Sequence, residues 1–305
     1  MTDKPYFTFG NYLKQRFGGR VQKISIDAGF TCPNIDGTKG VGGCTYCNNE
    51  GFSYNSRVAL RPVREQIEAG IAFSKKRFKA NQFLAYFQAH TNTFAPIPTL
   101  RSRFEEALTD PRVVGLSIGT RPDCLPEPVL DLLDELNRRT CLWVELGLQS
   151  AHDETLQRVN RGHTVAQFAD AVERCHARGI RVCAHVIFGL PGETREMMRD
   201  TARFLASLGI DGVKFHSLYL VPGTQMEREY RSVPFPLLSQ QEYAEIVADA
   251  LERLPPEAVI QRLTGDPPRT IPAEPPWTRD KVGTLALIRR ELARRDSFQG
   301  ALYRG

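Results

Sequence analysis

No stretch of this 305-residue chain holds the roughly 20 consecutive apolar residues that a membrane-spanning helix requires. The opening residues, MTDKPYFTFGNYLKQRFGGR, lack the charged-then-apolar order of a secretory leader. Short-period repeats and low-complexity tails are absent too. So is a fourth cysteine beside the three that gather between residues 32 and 47. The first two absences point to a cytoplasmic, reducing location with no membrane partner, where the seven cysteines are not expected to form a disulfide framework. The last is the most informative. A closed structural zinc or iron–sulfur site takes four protein ligands, so three leave one metal position open for chemistry.

In bulk the chain is ordinary. Hydrophobic residues make up 41% and charged residues 25%, the balance of a globular chain long enough to bury a sizeable core. The length admits either one barrel or two domains. Net charge is +5, with basic runs at Lys75-Lys76-Arg77 plus Lys79, at Arg138-Arg139, and at Arg289-Arg290 with Arg294-Arg295. Such runs are ordinarily solvated helix faces; together they permit a nucleic-acid partner without demonstrating one.

Cys32, Cys44 and Cys47 follow a C-x11-C-x2-C pattern, with Gly37, Gly40, Gly42 and Gly43 in the gap. Thiolates suit a 4Fe–4S cluster, and glycines let the backbone wrap a bulky cofactor and direct N–H groups at its sulfides. Spacing alone also admits zinc with a distant histidine or cysteine as fourth ligand. The other cysteines, Cys124, Cys141, Cys175 and Cys183, are scattered and read as buried structural thiols.

Short apolar segments at Val21–Asp27, Phe83–Gln88, Val113–Ile118, Leu142–Leu148, Val182–Phe188 and Val213–Tyr219 read as strands. They are mostly continuous rather than alternating, as strands buried on both faces should be. Amphipathic stretches between them read as helices, among them Pro126–Arg138 and Thr164–Arg178, the latter stopped by Gly179. Six strand–helix units predict an α/β fold, a partial (β/α)6 TIM-like barrel over residues 1–235. In such a barrel the chemistry gathers at the C-terminal strand ends. The cysteine loop and the segments around Gln88–Thr93, Gly119–Asp123, Gln149-Ser150, Gly189–Glu193 and Val221–Thr224 all follow those ends. Residues 236–305 read as a small helical and proline-rich extension packed on the barrel. It holds helices over Gln240–Leu254 and Thr278–Arg295 and a short apolar segment, Ala258–Leu263.

The cysteine loop after the first strand resembles the radical S-adenosylmethionine (SAM) superfamily. That family usually spaces its cysteines C-x3-C-x2-C, and the longer gap is shared by an Elongator-catalytic-subunit-like branch. Glu145-Leu146-Gly147-Leu148-Gln149-Ser150 and Asn160-Arg161-Gly162-His163-Thr164-Val165 closely resemble that module. From about Tyr6 to the last helix the chain is similar to the shorter bacterial members, of YhcC and YtqA type, which lack the acetyltransferase domain.

The resemblance implies a barrel of radical SAM type with a 4Fe–4S cluster on Cys32, Cys44 and Cys47. The free iron would chelate SAM, and an electron from the cluster would cleave it to methionine and a 5′-deoxyadenosyl radical. Tyr46 would lie by the adenine, or simply pack. Gln88, His90, Asn92 and Thr93 stand where the family binds the SAM amino group, although its glycine-glycine-glutamate string is missing. Glu145, Gln149 and Ser150 stand where ribose or methionine contacts are expected. Arg161 would pair with the SAM carboxylate, or with a local acid. Gly189 and Leu190 would approach the adenine, or form a plain turn, and Val221 follows the sixth strand. Lys23, His90, His185 and His216, on or beside strands, are either satisfied core residues or substrate ligands and proton carriers. Glu193 reads as a helix cap.

The implied substrate is a tRNA, at a wobble uridine, with flavodoxin or ferredoxin as electron donor. Two alternatives remain: a small-molecule substrate such as a tetrapyrrole, and a zinc-stabilised binding module without catalysis.

Overall fold

The computed structural model describes residues 4–48, 59–268 and 270–304. Seven strands form one parallel sheet in chain order: β1 (Val21–Ile26), β2 (Gln82–Phe87), β3 (Val113–Thr120), β4 (Cys141–Gln149), β5 (Arg181–Phe188), β6 (Gly212–Ser217) and β7 (Val259–Arg262). Parallel neighbours need crossover connections, and helices supply them. After α1 (Phe9–Phe17) come α2 (Val63–Phe78), α3 (Ile97–Ala107), α4 (Glu127–Arg139), α5 (Asp153–Arg158) and α6 (Val165–His176). They are followed by α7 (Arg195–Ser207), α8 (Gln225–Ser232), α9 (Gln240–Arg253) and α10 (Lys281–Arg294). The product is a curled half-barrel with helices outside it.

The helices form where the sequence pattern places them. In α4, Val129, Leu130, Leu133 and Leu136 make one buried stripe. Thr164 and Gln167 close a capping box at the start of α6, and Gly179 turns left-handed (φ 64°) beyond its end.

Two expectations about the strands change. Outward-pointing Ile24, Phe87, Ile118, Val144, Val186 and Phe215 pack in the main core beneath the helices. The alternate positions are polar at mid-strand: Lys23, Tyr86, Ser117, Glu145, His185 and Lys214 face the lumen and one another. The strands therefore alternate, apolar outward and polar inward, because the lumen holds a charged layer. The six-strand count also falls one short. Val259–Arg262, within the segment read as part of the extension, pairs in parallel with β6, so the extension supplies a strand as well as helices.

One end of the barrel is sealed by α1. Phe7 O accepts a hydrogen bond from Ile260 N at 2.8 Å, which ties the approach to α1 to β7. The rings of Phe9 and Tyr12 meet fully buried Trp143 edge-on, at centroid distances of 6.0 and 5.3 Å. Cys141 and Cys183 fill the space beside them. Access is thus left to the C-terminal strand ends.

Helices run antiparallel to the strands they cross between, so their C-termini lie at the sealed end. Lys75, Lys76 and Arg77 end α2, and Arg138 and Arg139 end α4, away from the opening. Arg138 pairs with Asp134, Arg139 with Glu105 and Glu135, and Arg294 and Arg295 with Glu291. The basic runs do not surround the mouth. Among the described residues, no helix is long and apolar enough to cross a membrane.

Candidate active site

The long gap between the first two cysteines folds back on itself. Ile35 N and Asp36 N donate to Cys32 O, Lys39 N donates to Pro33 O, and Asp36 and Val41 form an antiparallel bridge. Gly43 N then donates to Asn34 O at 2.8 Å, returning the chain beside the point it left. The extra residues form a closed excursion, and Cys32 and Cys44 end as neighbours. Gly43 (φ 75°) occupies the left-handed region where a side chain would be strained.

The loop is clamped from two sides. Asn34 Nδ2 donates to Asn160 O at 2.6 Å, and Asn160 Nδ2 donates to Gly43 O at 2.8 Å. Below it, buried Arg121 donates to Arg161 O and to both oxygens of Asp123, which also binds Lys39. Burial would raise the Asp123 carboxyl, but Arg121 and Lys39 outweigh it and hold it down at about 2.

All three thiols line one cavity of about 330 Å³, and all are free of disulfides. Among the described residues no three His, Cys, Asp or Glu side chains converge as a site for a single metal ion. A cubane attaches each thiolate to a different iron, so thiols spread around a cavity fit a cluster better than one tetrahedral zinc. The donor set fits as well. Cys44 Sγ faces Asn34 Nδ2 at 3.8 Å and Arg161 Nη1 at 3.7 Å, groups that stabilise a thiolate ligand. Without a metal, burial and the nearby Cys44 and Cys32 push the Cys47 thiol up to about 12. Cys124 lies in the wall of a separate groove with Lys39 and Asp123.

Arg161 crosses the top of β4. Its Nη2 donates to Gly147 O at 2.7 Å, and its Nε donates to His163 Nε2 at 3.0 Å. The His163 ring also lies between two carbonyls, with Nε2 2.9 Å from Gly147 O and Nδ1 3.1 Å from Thr164 O. Burial and the Arg161 charge pull His163 down to about 3, so it stays neutral.

Beneath the cysteines lies the charged layer. Glu145 accepts from Lys23 Nζ at 2.7 Å, Ser117 Oγ at 2.9 Å and His185 Nε2 at 2.9 Å, and it pairs with Lys214. Burial would raise Glu145; Lys214 and Lys23 outweigh it and keep it ionised. Burial draws Lys214 down to about 7 despite Glu145, and His185 down to about 4. Lys214 also donates to Tyr86 Oη at 3.1 Å and sits 4.2 Å from that ring's centroid.

Residues 37–205 match the Radical SAM superfamily, and residues 210–294 match the Radical_SAM C-terminal domain. The chain belongs to the radical SAM superfamily. Its cofactors are accordingly a 4Fe–4S cluster and SAM, and the zinc module is set aside. This radical SAM protein is 43% identical over 305 residues to YtqA of Bacillus subtilis (strain 168), across 99% of this chain and 94% of that one. It is 38% identical over 285 residues to YhcC of Escherichia coli (strain K12), across 92% and 90% of the two chains. Human Elongator complex protein 3 is 29% identical over 170 residues, 54% of this chain and 30% of that one. Among solved structures, the archaeal Methanocaldococcus infernus Elp3 with residues 1–46 deleted superposes with a TM-score of 0.67 at 17% identity. That match covers 92% of this chain and 64% of the other and shows a shared fold.

In this radical SAM barrel, Tyr46, Gln88, His90, Glu145, Gln149 and Arg161 line the cavity with the cysteines. The Tyr46 ring packs with Leu190, Leu218 and Met226. His90 (φ 60°) and Gln149 (φ 77°) hold left-handed backbone at strand ends, a strain that concentrates at functional sites.

Other predicted residues lie outside the cavity wall. Asn92 donates to the carbonyls of Ala89 and Gly119, and Thr93 bonds Thr120 and Cys124 O, so both brace the loop. Ser150 is fully buried and bonds Glu193. Gly189 packs near Leu238, and Val221 O accepts from Thr224. Glu193 is not the helix cap: Thr194 caps α7, while Glu193 reaches across to Ser150. Sequence reasoning missed Lys214, Tyr86, Ser117 and Arg262. Their one signal was polar side chains spaced two apart inside apolar strands, as in Lys214 and His216.

Proposed function

We propose that this radical SAM enzyme acts on a tRNA, at a wobble uridine. The observation that carries the substrate is the 170-residue similarity to Elongator complex protein 3. Held by Cys32, Cys44 and Cys47, the cluster with SAM would supply a carbon-centred radical that abstracts hydrogen from substrate. The chain's own residues do the rest. Arg161 offers a guanidinium to the SAM carboxylate, since its Nη1 already faces the cysteine site. Tyr46, backed by buried Leu190, offers an apolar wall to the adenine, with Gln88, His90 and Gln149 around it. The plug of α1 and Trp143 keeps water from entering behind the reacting groups.

A base must leave its stack to reach such a cavity. Arg61 and Arg158 are exposed on segments that follow strand ends, where a tRNA backbone would lie. A flavodoxin or ferredoxin would deliver the electron, and the exposed Val41 beside the cluster loop gives it an apolar contact.

Mass spectrometry of nucleosides from tRNA of a deletion strain and its parent tests the reading. A modified uridine lost in the deletion supports it. Unchanged nucleosides, together with no tRNA retained at low salt, would overturn it. The second reading, a small-molecule substrate such as a tetrapyrrole, is favoured by one observation: the cavity ends in a closed, charged floor.

A further inference from the structure

The floor of the cavity carries more positive charge than it neutralises. Lys23 and Lys214 share one carboxylate, Glu145. Arg262 lines the same cavity and, among the described residues, has neither a hydrogen-bond nor an ion-pair partner. Its placement has a structural cause. The register shifts where β7 meets β6 between Val213 and Lys214, so consecutive residues Gln261 and Arg262 both reach the lumen. Gln261 Oε1 accepts from Lys23 at 2.9 Å, while Arg262 pairs across to Lys214 in the strand register. The Arg262 charge is near enough to depress the basicity of His216, His185 and Lys214. Asp266 lines the same cavity but is exposed and held by Lys281 at 2.7 Å.

Two further polar atoms go unpartnered near Arg262. Gln261 Nε2 and His216 Nε2 are buried atoms without hydrogen-bond partners. The His216 ring lies 5.4 Å, centroid to centroid, from that of His185, whose own Nε2 is engaged by Glu145. Orphaned buried nitrogens are costly to leave empty, since each forfeits its hydration without return, and the half-buried Arg262 guanidinium near them is unpaired. A small oxyanion would satisfy them together. Guanidinium binds carboxylate or phosphate bidentately, and the amide, together with the imidazole in its Nε2–H tautomer, supplies the remaining donors.

We infer that Arg262, Gln261 and His216 form a subsite for the carboxylate or phosphate group of a small molecule entering the barrel. The subsite lies in the strands, one layer below the cysteine loop, and is separate from the place of the SAM carboxylate beside Arg161. The use of its ligand in the reaction rests on the radical SAM reading above; the anion binding itself does not.

Calorimetry on the cluster-loaded, oxidised protein with saturating SAM tests it, using inorganic phosphate, propionate and neutral propionamide as probes. One of the two anions binds with saturation and propionamide does not, and the anion that binds identifies the group. Arg262→Gln weakens that binding at least about tenfold, while Arg262→Lys retains part of it. Circular dichroism and cluster absorbance confirm that both variants fold. Equal affinity in wild type and Arg262→Gln, displacement of the anion by SAM, or binding by neither anion overturns the inference. Reductive SAM cleavage by the wild type, run on the same preparation, tests the radical reading separately.

Discussion

Glu145 and Lys214 form an ion pair across the barrel floor with side chains 0% and 4% exposed, withdrawn from water on strands whose sequence positions lie 69 apart. Such a pair is expensive to assemble and more expensive to break. Removing the carboxylate leaves Lys23 and Lys214 facing each other without compensation. Glu145→Gln is expected to cost about 3–5 kcal/mol in urea unfolding. Lys214→Met costs less, because Glu145 keeps Lys23 at 2.7 Å and His185 at 2.9 Å. The reverse order of stabilities would refute this account of the floor.

The proposed ligand set predicts that the cysteines separate by role. Cys32→Ala, Cys44→Ala and Cys47→Ala each abolish cluster retention after anaerobic reconstitution, read as bound iron and visible absorbance. Cys175→Ala, buried in the core on α6, keeps both and loses stability only through its cavity, by about 1–2 kcal/mol. Iron lost from Cys175→Ala would move the ligand set elsewhere.

Gly147 leaves room for Arg161. A Cβ there would sit 2.5 Å from Arg161 Nη2 and 2.6 Å from Gln149 Nε2. Gly147→Ala therefore displaces a guanidinium pinned by Gly147 O and His163, at about 1–3 kcal/mol. SAM affinity by calorimetry falls at least about tenfold, and iron content stays unchanged. Unaltered SAM binding would show that Arg161 serves the fold alone.

Glu193 gives stability a pH dependence of definite sign. Burial lifts its carboxyl from the ordinary 4.5 to about 7, against the opposing pull of Ser150 and His152. The folded state thus holds a proton that the unfolded state has released between those values, and stability falls as pH rises from about 4.5 through 7. Glu193→Gln removes that decline and is more stable than wild type at pH 8.5, by roughly 1–3 kcal/mol. Thermal melts at pH 5 and 8.5 measure the difference; parallel shifts in both proteins would exclude it.

Much of the architecture was legible because it is written in short range. Apolar runs bounded by glycine and proline placed six of the seven strands, and Thr164, Gly179 and the leucines of α4 marked helices and their ends. β7 escaped because four residues in a proline-rich stretch carry too little pattern; only the open edge of β6 makes Val259–Arg262 a strand. The continuous-strand reading missed the polar inner face, because Lys23 and Lys214 interrupt runs whose outer faces are wholly apolar.

The cysteine spacing by itself marked out a three-thiolate metal centre, since ligand identity and number are local chemistry, and left open whether a fourth ligand comes from elsewhere in the chain. It could not show that the eleven-residue gap closes on itself, which depends on Asn34 meeting Gly43 and Asn160. Nor could it assemble the floor. Lys23, Glu145, Lys214 and Arg262 come from four strands, and only the sheet's register, with its shift at β7, turns them inward together. Solvent is excluded there by α1 and Trp143, so Lys23 and Lys214, which would be screened in the extended chain, pair with Glu145 and leave Arg262 unpaired among the described residues.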